Sequence, residues 1–264
     1  MTERLNVFVG YDRRESEAFY VAVKSLVDKS SIPLRVHMLH ETNLRACGLY
    51  TRGYHYDDER PQVRVDDADG RPFSTDFAFT RFLVPALTDY RGWALFFDCD
   101  FLFRADVAKL LEVYADPGYS VSCVQHKHVP LAGAVKMDAQ LQQRYACKNW
   151  SSFMLFNCSH PNNRLLTPAT VNAWRGGDLH SFQWLPSLTE VGEIDERWNW
   201  LVNASPTTDA GHAISMENIV GDGRVDESPF AAHFTSGGPW FPEYRDVPFA
   251  DEWRAVRETL KVAP

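Results

Sequence analysis

Asp98 and Asp100 are separated only by Cys99 and follow five apolar residues, Trp-Ala-Leu-Phe-Phe at 93–97. Alternate residues of an extended chain point the same way, so both carboxylates can face one ligand. Two carboxylates held close repel unless a cation stands between them. Oxygen ligands of this kind suit Mn²⁺ or Mg²⁺, which also takes substrate phosphate oxygens. The plainer alternative is that Asp98 caps the next segment and Asp100 is solvated. Far downstream, Ala-Ala-His-Phe-Thr-Ser-Gly-Gly-Pro-Trp at 231–240 sets His233 before a Gly-Gly-Pro turn. A neutral imidazole there could complete a metal set of Asp98, Asp100 and His233. The turn glycines, Gly237 and Gly238, could bring backbone N–H groups to a phosphate. A structural histidine is the competing reading.

These residues need elements to position them. Residues 5–9 form a short apolar run that reads as a buried strand, ending at Gly10-Tyr11-Asp12. Residues 14–27 follow with Ala18, Val21, Ala22, Ser25 and Leu26 on one helical stripe, and 34–39 alternate like a strand. This βαβ opening predicts a mostly parallel α/β sheet flanked by helices. Ligands of such sheets bind beyond the carboxyl ends of the strands, where Gly10, Tyr11 and Asp12 stand. Gly10 could equally be a turn glycine. Residues 77–87 read as a helix that Pro85 ends or kinks. They carry Arg81 among apolar neighbours, where an arginine needs a partner such as Asp98. Strands are expected at 93–97, 119–124 and 152–156, and a helix at 105–114. The polar, Arg/Asp-rich stretch 41–74 reads as a loop region. With its flanks to 76 it could be mobile and order over a ligand. Nothing marks a linker, so 1–264 reads as one domain, with 241–264 a C-terminal extension bearing an amphipathic helix at 251–261.

The 264 residues are 45% hydrophobic and 23% charged, which excludes intrinsic disorder. A formal charge of −8 argues against nucleic acid as the main partner. No apolar run approaches the roughly 20 residues of a membrane span, and the first residues lack a signal-peptide pattern. A cytoplasmic protein is therefore expected. The mixed charge of 251–261 favours docking onto the fold over peripheral contact with the inner face of a membrane. The five cysteines are odd in number and have no zinc spacing, which favours reduced thiols.

In combination the sequence resembles nucleotide-sugar-dependent glycosyltransferases of the GT-A fold, and is most similar to the family 8-like retaining enzymes and their bacterial relatives. There an apolar strand ends in a DxD, matched by Asp98, Cys99 and Asp100. A late HxxGxxKPW-like segment supplies a third metal ligand, matched by His233 in HFTSGGPW. The resemblance implies that Gly10, Tyr11 and Asp12 receive the uridine of a UDP-sugar donor and that Arg81 contacts the donor. It also sets 149–157 against the family's FNAGVLLxN, with Ser151 and Ser152 in place of Ala-Gly. Gln183, the polar survivor of a DQD segment, is implied beneath the anomeric carbon. Its alternative is a surface glutamine. Gly238 replaces the lysine that neutralises the diphosphate, a role open to Lys136 or Lys148. The implied reaction moves a sugar to a glycan or other hydroxyl acceptor with retention. Inversion would need a carboxylate base, for which Asp138, Asp195 and Glu196 are candidates. Two rivals are a sugar-1-phosphate nucleotidyltransferase, whose Gly-rich first loop is missing here, and a carbohydrate-binding protein without chemistry.

Overall fold

The computed structural model describes residues 4–126, 147–202 and 229–260, with the backbone alone of 135–136 and 140–141. The chain opens with β1 (Leu5–Gly10), α1 (Ser16–Lys29) and β2 (Leu34–Leu39). It continues through α2 (Glu41–Ala46), β3 (Tyr54–Tyr56), β4 (Arg64–Asp66), β5 (Pro72–Phe73) and α3 (Val84–Leu87). Then come β6 (Trp93–Phe97), β7 (Phe101–Phe103), α4 (Ala108–Tyr114), β8 (Val121–Cys123), β9 (Val135–Lys136), β10 (Gln140–Leu141) and β11 (Phe153–Asn157). The remaining elements are α5 (Pro168–Ala173), α6 (Gly176–His180), β12 (Val191–Glu193), β13 (Trp200–Leu201), β14 (Ala231–His233) and α7 (Ala250–Thr259).

The central sheet has the order β12-β8-β11-β6-β1-β2. β1 runs parallel to β2 and β6, and β8 runs parallel to β12; only β11 is antiparallel, to both β6 and β8. The mixed, mostly parallel α/β sheet expected from the sequence is thus present. Its middle strands β6 and β11 are covered on both faces, which is why they are written as continuous apolar runs. Leu95, Phe96, Phe97, Met154, Leu155 and Phe156 have no exposed surface. The α1 stripe Ala18, Val21, Ala22, Ser25 and Leu26 is buried as its spacing predicts. Ser25 is tolerated there because its hydroxyl donates to the Ala22 carbonyl (2.9 Å) and accepts from Phe103 N–H (3.0 Å).

Two expectations change. The 77–87 segment is a 3-10 turn at Thr80–Leu83 followed by the single turn α3, and Pro85 lies near the start of α3 rather than ending it. The 41–76 segment is not featureless loop: it contains α2 and the antiparallel meander β3-β4-β5. Three of its charged residues, Arg52, Arg64 and Asp66, are buried. Arg52, 3% exposed, grips both Asp66 oxygens at 2.6 Å. The same guanidinium donates to the carbonyls of Val171 (2.8 Å) and Trp174 (2.6 Å), and lies over the Phe79 ring. Arg64 pairs with Asp76 at 2.5 Å and donates to the Ser74 carbonyl.

A second sheet of β13, β14 and β7 stands beside the first. On it Trp253 of α7 packs with Leu102, Trp200 and Phe234. Arg257 pairs with Glu17 of α1, and Arg104 with Glu252 at 2.8 Å, so α7 docks on the fold. Among the described residues no helix is long and apolar enough to cross a membrane. All five cysteines are free thiols, four of them buried.

Candidate active site

The strand register explains how three distant residues meet. β6 ends at Phe97 and β7 begins at Phe101, so Asp98 and Asp100 occupy the bend between the two sheets. The Asp98 N–H is held by the Ser152 carbonyl at 3.0 Å. β14 lies antiparallel to β7 with His233 opposite Phe101, the residue directly after Asp100. The imidazole stacks on the Phe101 ring at 4.4 Å. One ligand atom from each of Asp98, Asp100 and His233 falls within 4.8 Å of the others. Octahedral ligands of a small divalent ion lie about 3 to 4 Å apart, so a minor side-chain adjustment would close the set.

The chemistry of the donor set fits such an ion. Asn199 donates through Nδ2 to Ser152 Oγ (2.9 Å), which leaves its amide oxygen facing His233 Nδ1 at 2.7 Å. Nδ1 therefore carries the ring proton, and Nε2 turns its lone pair toward Asp100 Oδ1, 3.3 Å away. A divalent cation between the two would satisfy both. Asn199 thereby fixes the tautomer of His233, as the hydrogen-bond partners of metal-ligating histidines do. Arg81, 5% exposed, restrains the other carboxylate. Its Nη1 lies 2.9 Å from Asp98 Oδ1 and donates to the Ser151 carbonyl at 2.8 Å.

A cleft opens over these residues, walled by the β5 segment at 72–75 and by Gly176 and Gly177 of α6. Lys148, 7% exposed, lines it. A Cβ on Gly238 would stand 2.2 Å from the Trp240 ring, so the lysine that the resemblance places at 238 would require that ring to shift. Glu15 also lines the cleft. Burial, and then the charges of Asp100 and Asp12, push its carboxyl well above the usual range. Cys99 does not face a ligand. Its thiol is fully buried in the bend and donates to Glu15 Oε2 at 3.7 Å.

His180 lines the cleft too. Burial, helped by the Arg81 and Lys148 charges, holds its imidazole well below the ordinary value of 6.5. The unfolded chain binds this proton below about pH 6.5 and the folded chain does not. Stability should therefore fall as the pH drops through that value, by up to about 1.4 kcal/mol per pH unit from this group. Urea unfolding of wild type and His180→Gln between pH 7 and pH 5 checks this: the variant should show the shallower slope, and equal slopes would refute it.

Other predicted residues stand elsewhere. A Cβ on Gly10 would meet the Phe77 ring at 2.5 Å, so this glycine serves packing. Tyr11 stacks on His40 at 4.9 Å. Asp12 is fully buried, bonded to Arg14 (2.7 Å) and to the Asp76 N–H (3.2 Å). None of the three lines this cleft, whereas Glu15 does. Gly237 lines it with φ +127°, but its N–H donates to the Phe234 carbonyl at 2.8 Å rather than pointing outward. Gly238 is not among the lining residues. Gln183 is exposed and turned back on the Ser181 carbonyl. Its neighbours Phe182 and Trp184 are each 1% exposed, and their burial sends Gln183 outward. Asp195 caps the turn at Glu196–Asn199 and pairs with Arg197 at 2.6 Å, outside the cleft lining. Asp138 lies outside the described residues. The sequence reading missed Glu15, Asn199, Ser151 and His180 as parts of the site, and the segment carrying Gln183 does reach it, three residues earlier.

No protein-family model matches the sequence. In fold the chain is similar to the bifunctional glycosyltransferase WbbM (TM-score 0.62, 14% identity, 97% of this chain and 50% of that one). It is likewise similar to GlyE of Streptococcus pneumoniae (TM-score 0.57, 14% identity, 96% of this chain and 60% of that one). It thus spans only half to three-fifths of those two chains. The galactosyltransferase LgtC superposes over nearly the full length of both chains, 98% of each, with TM-score 0.55 at 14% identity in a variant structure. These likenesses identify the GT-A fold of glycosyltransferases as a single domain. In sequence, 247 residues are 42% identical to Protein CDI of Arabidopsis thaliana, covering 94% of this chain and 83% of that protein. An identity of that level over nearly the whole length shows common descent, and the chain belongs to the family of Protein CDI.

Proposed function

We propose that the protein is a metal-dependent glycosyltransferase that moves a sugar from a nucleoside diphosphate donor, a UDP-sugar, to an acceptor hydroxyl. The observation that carries this reading is the convergence of Asp98, Asp100 and His233 at the carboxyl end of β6 in a fold shared with glycosyltransferases. Mn²⁺ or Mg²⁺, held by these three side chains, would supply Lewis-acid stabilisation of the departing diphosphate. The protein's own groups do the rest. Arg81 pairs with Asp98 and orients it, Asn199 keeps the His233 Nε2 lone pair aimed at the site, and Lys148 offers an ammonium to phosphate oxygens.

Transfer with retention, as in the family 8-like enzymes, is the reading favoured by the carboxylates that line the cleft among the described residues. Inversion requires an available base near the acceptor. Asp69 spends both oxygens on backbone N–H groups, of Arg71 and Gly176, each at 2.9 Å. Burial, and then the Asp100 and Asp12 charges, disfavour the ionised form of Glu15. Asp98 and Asp100 belong to the metal set. With Gln183 exposed, the group beneath the anomeric carbon comes from another residue of the cleft. The meander of 41–76 walls the donor side and could shield the reacting bond from water.

The test is a panel of nucleotide sugars scored for release of nucleoside diphosphate with Mn²⁺, with Mg²⁺ and with EDTA. A UDP-sugar should be hydrolysed slowly with either metal and not with EDTA. Silence across the panel, or turnover indifferent to EDTA, would overturn the assignment.

A further inference from the structure

Ser151 and His180 form a pair that the proposed reaction has not used. Ser151 sits in the 3-10 turn Trp150–Ser152 leading into β11, and His180 is the last residue of α6. Both line the cleft, Ser151 from its floor with 2% of its surface exposed. Ser151 Oγ lies 2.8 Å from His180 Nδ1. Its carbonyl accepts from the same Arg81 nitrogen that grips Asp98, which ties the serine to the metal-binding end of the cleft.

The direction of the serine–histidine bond follows from the surroundings. The His180 ring hydrogen-bonds the Ala78 backbone carbonyl, and it packs edge-on against Phe82 at 5.2 Å. Burial, and then the positive charges of Arg81 and Lys148, disfavour a second ring proton, so the ring stays neutral with a single one. That proton goes to the Ala78 carbonyl. Nδ1 is left as an acceptor, and the Ser151 hydroxyl must donate to it. The Ser151 oxygen then keeps only lone pairs for the cleft. An ordinary serine can rotate to donate or accept, but this one can only accept. A sugar is a ring of hydroxyls, and an acceptor fixed in place selects one of them as donor.

We infer that Ser151, its proton held by His180, is an acceptor-only contact that reads one hydroxyl of the sugar carried on the donor nucleotide. His180 is a positioning residue in this scheme and touches no reacting atom. The inference rests on the donor reading proposed above and adds to it a specificity determinant.

The experiment uses the full chain with Mn²⁺ and measures binding of UDP, UDP-glucose, UDP-galactose and their monodeoxy analogues by calorimetry. One lost hydrogen bond corresponds to about a tenfold change in affinity. With wild type, one deoxy analogue should bind about tenfold more weakly than its parent. Ser151→Ala should weaken the parent by a similar factor, leave UDP unchanged, and show no further loss with that same analogue. The wild-type half of the test is independent of how well the variant folds, and the UDP control reports the variant's site. Equal analogue losses in wild type and Ser151→Ala would overturn the inference, as would a fall in UDP affinity matching that for the UDP-sugars. Wild type that fails to bind UDP with Mn²⁺ would instead overturn the donor reading, and this inference with it.

Discussion

Asp100→Asn is expected to lower Mn²⁺-dependent release of nucleoside diphosphate by at least about a hundredfold, because loss of even an outer-shell partner costs metal sites 10–100-fold. The substitution keeps the shape of the side chain and removes its charge. Asp100 supplies the oxygen nearest His233 Nε2, at 3.3 Å, so the variant breaks the centre of the set rather than its edge. Calorimetry should show Mn²⁺ affinity falling in parallel, a readout that holds whatever the donor sugar is. The fold should survive in EDTA, since the variant removes one charge from a cluster that also contains Asp98 and the buried Glu15. Turnover and Mn²⁺ affinity both within a few-fold of wild type would show that the carboxylate has no part in metal binding.

The largest effect on stability should come from Arg81→Met. The arginine pairs with Asp98 at 2.9 Å and also donates to the carbonyls of Ser151 (2.8 Å) and Phe77 (3.3 Å). Removing one partner of a buried pair leaves the other charge uncompensated, which costs about 3–5 kcal/mol. Here a second cation can take its place. Urea unfolding in EDTA should show the full loss, and Mn²⁺ at about 100 times its dissociation constant should restore up to about 2.7 kcal/mol. A loss under about 1 kcal/mol would mean that Asp98 is solvated well enough to stand alone.

The parts of the fold legible in the sequence were those governed by short-range periodicity. The β1-α1-β2 opening and the β6 and β11 strands follow from apolar runs and one helical stripe. The convergence of Asp98, Asp100 and His233 was legible because a DxD after such a run and a histidine before a glycine turn are local signals. What escaped was decided by pairing across distance. The 41–76 segment looks solvated when its arginines and aspartates are counted. Yet Arg52 and Asp66 neutralise each other while nearly buried, and the guanidinium's third nitrogen caps carbonyls more than a hundred positions away. Gln183 failed for a different reason. Phe182 adopts φ +58°, a left-handed turn that no window of residue types announces, and the chain leaves the cleft there. Gly10, Tyr11 and Asp12 neighbour Phe77, His40 and Arg14 and stand outside the lining of the cleft. Glu15 lies in a polar Arg-Arg-Glu-Ser stretch that gives no hint of full burial.

The pairing of His233 opposite Phe101 has a bearing on how the chain reaches its native state. Partners separated by roughly 130 positions meet only after a long excursion has been closed, a step whose entropic penalty precedes its reward. The β1-α1-β2 unit is built from neighbours in sequence; the proposed ion site is complete only once the distant strand β14 has paired with β7. Ion affinity at that site should therefore require the finished topology, which would make a titrated metal a gauge of whether the last strand has docked.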